Sequence, residues 1–325
     1  MEPVRNGLGL PETMRAWRAT RFGGLDALAC ESAPVPLLYG DEVLVEVQAA
    51  ALNPVDLKTL HGRYPAVAQH DLPFTLGRDV AGVIAQGSRR AAGWEPGMRV
   101  CAFVGQGPGA LADYVAVSAS ALANAPRAGV DTAAALPLAA LTAWQGLFDY
   151  GKLERGERVL IHGASGAVGR FAVQFARHCG AHVIATASAS THGVLRAMGA
   201  AETIDYQYED FEDRAGEVDL VFDLVGGVVQ VRSWSVLKHG GTMVSALDEP
   251  SQIDAAARGA CATRFTARPD GAQLEHIVAL LDQGAIKVEV VSRFNFGDAR
   301  DAFEQVERGH PHGKVVVMVE WHQPV

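Results

Sequence analysis

The sequence predicts an α/β protein in which a doubly wound parallel-sheet domain is inserted into a β-rich domain. Three observations carry this expectation. The chain of 325 residues is long enough for two cores. Its texture is β-rich from Met14 to about Ser118, alternates strand and helix from 158 to 268, and then returns to the first texture. Residues 158–180, RVLIHGASGAVGRFAVQFARHCG, join a short apolar run to a small-residue turn and an amphipathic helix, the opening unit of such a sheet.

Taken in order, Met14-Arg15-Ala16-Trp17 begins the first patterned segment, and residues 1–13 read as an extension. Asp41–Ala50 sets Val43, Val45 and Val47 on one face of a strand. Strands are expected at Asp79–Ile84, Arg99–Val104 and Tyr114–Val117, between glycine and proline turns. The alanine- and leucine-rich run Thr132–Tyr150 reads as helix. In the helix after the glycine turn, Val168, Phe171, Ala172, Phe175, Ala176 and Cys179 recur at helical spacing, and Gly180 stands at the C-cap.

Strands are then expected at His182–Ala187, Glu202–Tyr206, Val218–Val225, Gly241–Leu247 and Ala262–Arg268, with a helix at Val229–Lys238. This alternation implies a parallel sheet with right-handed crossovers. A helix at Ala272–Gln283, a strand at Val290–Phe296, a helix capped by Asp298 and a strand at Lys314–Val319 complete the chain. The tail is expected to rejoin the N-terminal part, giving a discontinuous catalytic domain (1–127 and 269–325) around a nucleotide domain (128–268).

Composition narrows the function. A net charge of −9 lacks the basic face that nucleic-acid phosphates require. No apolar run is long enough to span a bilayer, and the N-terminus has no signal-peptide core. Cys30, Cys101, Cys179 and Cys261 are far apart and form no C-x-x-C pair, which fits a reduced, cytoplasmic protein.

The turn Ala164-Ser165-Gly166-Ala167-Val168-Gly169 has alanine at the first position of G-x-G-x-x-G. A dinucleotide pyrophosphate is expected on the helix N-terminus, where unpaired N–H groups and the dipole favour an anion. Gly166 lets the backbone approach the phosphates, and Gly169 lets the helix pack on the strand. The second strand ends in Ala187-Ser188-Ala189-Ser190, without the acidic residue that binds a ribose 2′-hydroxyl. Ser188 and Ser190 are candidate donors to a 2′-phosphate, with His192 and Arg196 as cationic helpers, so NADPH is the expected cofactor. The same serines also suit a helix cap.

Several motifs in order, ALNPVDLK at 51–58, LGRDVAGVI at 76–84, ALPLAALTAW at 135–144, HGASGAVG at 162–169, FDLVGG at 222–227 and HGKVVV at 312–317, extend the argument. With them the chain resembles the zinc-independent quinone oxidoreductase branch of the medium-chain dehydrogenase/reductase superfamily. The resemblance implies a GroES-like catalytic domain with an inserted Rossmann domain, and a homodimer. Zinc-dependent relatives place a catalytic cysteine where Asn53 stands and a His-Glu pair where Arg78-Asp79 stand. Arginine has no free lone pair for a metal, and Asp79 reads as a strand-end ion pair with a neighbouring base.

The resemblance also sets Thr142 near the nicotinamide, Gly226-Gly227 along the cofactor site and Lys58 at the ribose or nicotinamide amide. Asn53, Asp56 and Tyr64 are the substrate-side candidates. Tyr64 offers a phenol to a carbonyl oxygen, Asn53 shares that task, and Asp56 orients. Without a Lewis acid, reduction of a ready electron acceptor is the better expectation. The leading reading is NADPH-dependent quinone reduction. A 2-alkenal or enone reductase shares every motif, and an NADPH-binding structural or regulatory protein is the alternative of another class.

Overall fold

The computed structural model describes residues 9–88, 90–309 and 312–320. Of the expected N-terminal extension, residues 1–8 lie outside the described residues, and the first strand opens at Thr13. In chain order the first elements are β1 (Thr13–Ala19), β2 (Leu28–Pro34), β3 (Glu42–Ala51), α1 (Pro54–Leu60), β4 (Phe74–Thr75), β5 (Asp79–Gly87), β6 (Arg99–Phe103), β7 (Tyr114–Ser118), β8 (Leu122–Asn124), α2 (Val130–Ala135) and α3 (Pro137–Trp144). There follow β9 (Arg158–Ile161), α4 (Ala167–Cys179), β10 (His182–Ala187), α5 (His192–Met198), β11 (Glu202–Asp205), α6 (Phe211–Arg214), β12 (Val218–Asp223), α7 (Gly227–Ser233), β13 (Leu237–Ser245), α8 (Gln252–Ala257) and β14 (Cys261–Arg264). The last are α9 (Gly271–Asp282), β15 (Val290–Asn295), α10 (Ala299–Glu307) and β16 (Lys314–Met318).

Contacts divide the chain into two compact units, Met1–Leu138 with Pro269–Val325, and Ala139–Arg268. The sequence reading starts the insertion at 128. Contacts keep 128–138 with the first unit because α2 packs on β3, β5 and β16.

In the first unit a seven-stranded sheet runs β15-β16-β3-β5-β6-β8, with β7 also paired to β3. A three-stranded sheet, β2-β1-β4, stands beside it. The C-terminal β16 is interior to the larger sheet, between β15 and β3, so Val315, Val316 and Val317 are all buried whichever face they take.

The second unit is a six-stranded parallel sheet in the order β11-β10-β9-β12-β13-β14. The order reverses between β9 and β12, so their C-terminal ends form the switch point where such sheets take ligands. Helix α4 buries Phe171, Ala172, Phe175 and Ala176 and ends on Gly180 at φ 90°, a left-handed cap that glycine adopts without strain. Each phenylalanine so buried stabilises the unit by about 1.5–3 kcal/mol.

Two of the expected helices depart from the sequence reading. The helix expected over Thr132–Tyr150 is broken: α2 stops before Pro137, which has no N–H to continue it and instead opens α3, and Gln145–Tyr150 is a π-helical turn. The helix expected over Val229–Lys238 ends at Ser233, whose hydroxyl donates to the Val229 carbonyl at 2.7 Å. Val236 and Leu237 are drawn into the core, the Val218 N–H donates to the Val236 carbonyl, and β13 starts at Leu237.

Candidate functional site

The nucleotide turn lies at the end of β9. Gly163 takes φ +69° there, and the Ala164 N–H donates to the Thr186 carbonyl of β10 at 3.2 Å. A Cβ at Gly169 would lie 2.6 Å from the Ala164 Cα and closer still to the Gly163 carbonyl oxygen, so α4 meets the turn only because position 169 is glycine. Gly166 is exposed and caps α4. Among the described residues, the N–H groups of Ala167, Val168 and Gly169 have no protein acceptor, as expected in the first turn of a helix. Ser165 is half-buried, and its carbonyl accepts from Arg170 Nε at 2.9 Å. These open donors on a 13-residue helix fit a pyrophosphate. The left-handed glycine that makes the turn tight is Gly163, one residue before the alanine read as the first motif position. Its signal was the H-G-A-S run itself.

His162, one residue earlier, is buried at this switch point. Ser233 Oγ donates to the Val229 carbonyl, so it accepts from His162 Nε2 (2.9 Å), and His162 Nδ1 accepts from Thr186 Oγ1 (3.0 Å). Burial pushes its pKa from 6.5 down to about 4, against the pull of Asp223. A neutral imidazole thus ties β9, β10 and α7 together directly behind the phosphate turn.

At the end of β10, Ser188 Oγ and Ser190 Oγ lie 3.2 Å apart, with Ser190 exposed. Neither caps the following turn with its side chain, which leaves them available to a ligand. His192 Nε2 is folded back to 3.2 Å from the Ala187 carbonyl, and Arg196 donates to Thr203 Oγ1 at 2.7 Å. The loop after β12 holds Gly226 (φ 76°) and Gly227 (φ 58°). Asp223 Oδ1 accepts from the N–H of Val225 and Gly226, and Asp248 accepts from Gly227. A Cβ on Gly226 would overlap the Asp248 carboxylate. The chain reversal and the ligand-bearing edge of the sheet are one structure. Thr142 is half-buried on α3, and Lys58 is exposed on α1.

The substrate-side candidates separate. Asn53 and Asp56 come together at the N-terminus of α1, but both face inward. Asp56 is fully buried; Oδ2 accepts from the Asn53 N–H and Oδ1 from the Gly77 N–H, each at 2.8 Å. Burial raises its pKa to about 6, against the Arg78 charge and these two N–H donors. Asn53 Nδ2 donates to Asp79 Oδ2 (2.9 Å) and the Ala51 carbonyl (3.3 Å), while its Oδ1 accepts from Lys314 Nζ (2.5 Å). The Asn53 amide has no donor left for a substrate oxygen, so the oxyanion role expected of it is corrected to a framework role. Asp56, with both oxygens on backbone N–H groups, likewise stands in the framework at the head of α1.

Lys314 was missed, although HGKVVV sets a lysine at the head of a buried strand, where it requires a buried anion. That anion is Asp79, 2.8 Å away, with Leu138 N–H on its other oxygen at 2.7 Å. A zinc ion does not suit these residues. Arg78 has no lone pair, the Asn53 amide is occupied, and Asp79 already carries an ammonium.

Tyr64 remains. It is half-buried against the core of the first unit, with the Arg78 guanidinium over its ring at 5.3 Å. Its hydroxyl makes no hydrogen bond among the described residues.

Comparison with known proteins agrees with this anatomy. Residues 40–127 match the family model of the alcohol dehydrogenase GroES-like domain, and 198–317 that of the zinc-binding dehydrogenases. The chain is 35% identical over 327 residues to a 2-methylene-furan-3-one reductase of Solanum lycopersicum, covering 95% of this chain and 80% of that protein. It is also 35% identical over 325 residues to a chloroplastic NADPH-dependent alkenal/one oxidoreductase of Arabidopsis thaliana, with the same coverage. The chain belongs to the medium-chain dehydrogenase/reductase superfamily. Within that superfamily its structure is similar to the quinone oxidoreductase of Coxiella burnetii, with a TM-score of 0.88 and 31% identity over 95% of this chain and all of that one. It falls in the quinone oxidoreductase branch and is an oxidoreductase with a GroES-like domain and a Rossmann-type domain. Among the described residues, no helix is long and apolar enough to cross a membrane.

Proposed function

We propose that this oxidoreductase uses NADPH to reduce quinones. The observation that carries the cofactor choice is the end of β10, where two serine hydroxyls stand and no carboxylate opposes a 2′-phosphate. The open N–H groups of Ala167, Val168 and Gly169 receive the pyrophosphate, with Ala164, Ser165 and Gly166 shaping the approach. Ser188 and Ser190 donate to the 2′-phosphate, with His192 beside them. Thr142, Gly226, Gly227 and Lys58 complete the cofactor contacts.

When bound, the reduced nicotinamide supplies a hydride. Tyr64 donates a hydrogen bond from its phenol to the acceptor oxygen that gains charge, and solvent provides the one proton that the reduction takes up. Asn53 and Asp56 hold α1, which precedes the Tyr64 loop. Reduction of enones is the second reading, favoured by the two relatives named for such substrates. The chain is further proposed to act as a homodimer in a reducing, cytoplasmic compartment, which its four free cysteines support.

The test follows NADPH and NADH consumption by the purified protein with an ortho-quinone and with a simple enone. Faster NADPH loss with the quinone supports the first reading, and faster loss with the enone the second. Tight NADPH binding without consumption on either would replace both with a binding protein, and preference for NADH would overturn the role of the serines.

A further inference from the structure

Arg78 carries a fully buried positive charge in the first unit. Its side chain is among the largest fully buried ones, at 1% exposure. A guanidinium offers five N–H donors. Nη1 donates to the carbonyls of Gly105 (2.8 Å) and Gly107 (3.0 Å), while Nη2 is buried and has no partner among the described residues. No carboxylate is paired with it among the described residues. Asp79, its sequence neighbour, is held by Lys314, and both oxygens of Asp56 are held by backbone N–H groups.

Pinning the 105–107 turn needs only Nη1, and a neutral donor would serve. A permanent cation kept out of water with no direct ion pair, and only the through-space attraction of Asp56, is a costly arrangement for that purpose alone. Two nearby rings show where its field acts: Cζ lies 5.3 Å from the Tyr64 centroid and 5.4 Å from that of Phe74. The Tyr64 hydroxyl makes no hydrogen bond among the described residues.

We propose that Arg78 is a positioning and specificity-determining residue. Its buried guanidinium fixes the Tyr64 ring and supplies the positive field for the oxygen that Tyr64 binds. The site then favours conjugated carbonyl acceptors that place negative charge on oxygen as they are reduced. This rests on the reading of Tyr64 given above. In the enone case the hydride pair forms a C–H bond at the β-carbon, and the C=C π pair moves onto the carbonyl oxygen. Solvent then protonates the α-carbon, and the nicotinamide is left oxidised. The charge that Arg78 and Tyr64 meet is that of the enolate oxygen.

The experiment compares Arg78→Gln, Arg78→Lys, Tyr64→Phe and the Arg78→Gln/Tyr64→Phe pair with the wild-type chain. Arg78→Gln is expected to lower kcat about 100-fold with the KM for NADPH unchanged. Arg78→Lys is expected to recover part of the loss, and the double variant to be little worse than Tyr64→Phe alone. Equal loss in Gln and Lys variants, additive losses or unchanged turnover would overturn the proposal.

Because Arg78→Gln can fail to fold, a second measurement uses the wild type. 4-Nitrophenol, which ionises near neutral pH and changes colour as it does so, is titrated with pH in the bound state. Bound probe is expected to ionise at a pH about one unit lower than free probe. An unchanged or higher value overturns the proposal. If wild type consumes NADPH with neither acceptor, the functional reading fails. If it turns over and the variants or probe disagree, only the role of Arg78 fails.

Discussion

Acidification should loosen the nucleotide unit through one buried imidazole. His162 is neutral in the fold, with Nε2–H on Ser233 and Nδ1 accepting from Thr186. Its folded pKa of about 4 lies below the ordinary 6.5, so between those values the unfolded chain binds the extra proton. Stability from this residue is complete above 6.5 and lost as pH falls towards 4. The whole gap corresponds to about 3 kcal/mol, of which about 2 kcal/mol is lost between pH 7 and pH 5. The assay is urea unfolding followed by tryptophan fluorescence, for which Trp234 in the core of this unit is a local reporter. It is run on wild type and on His162→Asn at both pH values. The variant starts less stable but should lack this component of the acid slope. Parallel pH dependences in the two proteins would refute the argument that His162 is held neutral.

Asp56 should act in the opposite sense: its pKa is raised to about 6, so the folded state gains stability as pH falls below that value. Asp56→Asn should cost about 1–3 kcal/mol at pH 7, since an amide cannot accept from both N–H groups, and thermal unfolding at pH 7 and 5 should show the deficit widening with acid. Lys314→Met leaves Asp79 buried without its cation and should cost about 3–5 kcal/mol in urea unfolding, while adding Asp79→Asn should restore part of it. Gly169→Ala should weaken NADPH binding by about tenfold or more in a fluorescence titration, because the new Cβ pushes α4 off the turn that orients its N–H groups.

The nucleotide unit was legible because its signals are local. A strand, a glycine turn and a periodic helix lie within 158–180, and Gly180 caps α4 at the expected place. What escaped depends on partners remote in sequence. Asn53 looks like a substrate ligand until Lys314, 261 positions away, is found on its oxygen. Arg78 was read only as a residue unable to bind zinc, because its burial and its unpaired Nη2 come from the 105–107 turn and two rings. The helix limits at 132–150 and 229–238 were missed where tertiary demand overrode composition: Pro137 restarts the helix, and the core claims Leu237 for a strand.

The last strand has a consequence for how the chain is made. Asp79 and Asn53 leave the ribosome early, and the ammonium that neutralises Asp79 and donates to Asn53 is on β16, 235 positions after Asp79. Between them comes the entire Rossmann unit, which has all its strands before Lys314 is translated. The unit that begins first therefore matures last. Until β16 is made its sheet is open along Ala49–Ala51 of β3, where β16 later pairs, and the Asp79 carboxylate waits in its core without its cation. Vectorial synthesis makes the inserted unit the earlier folder and the closing lysine the final checkpoint of assembly.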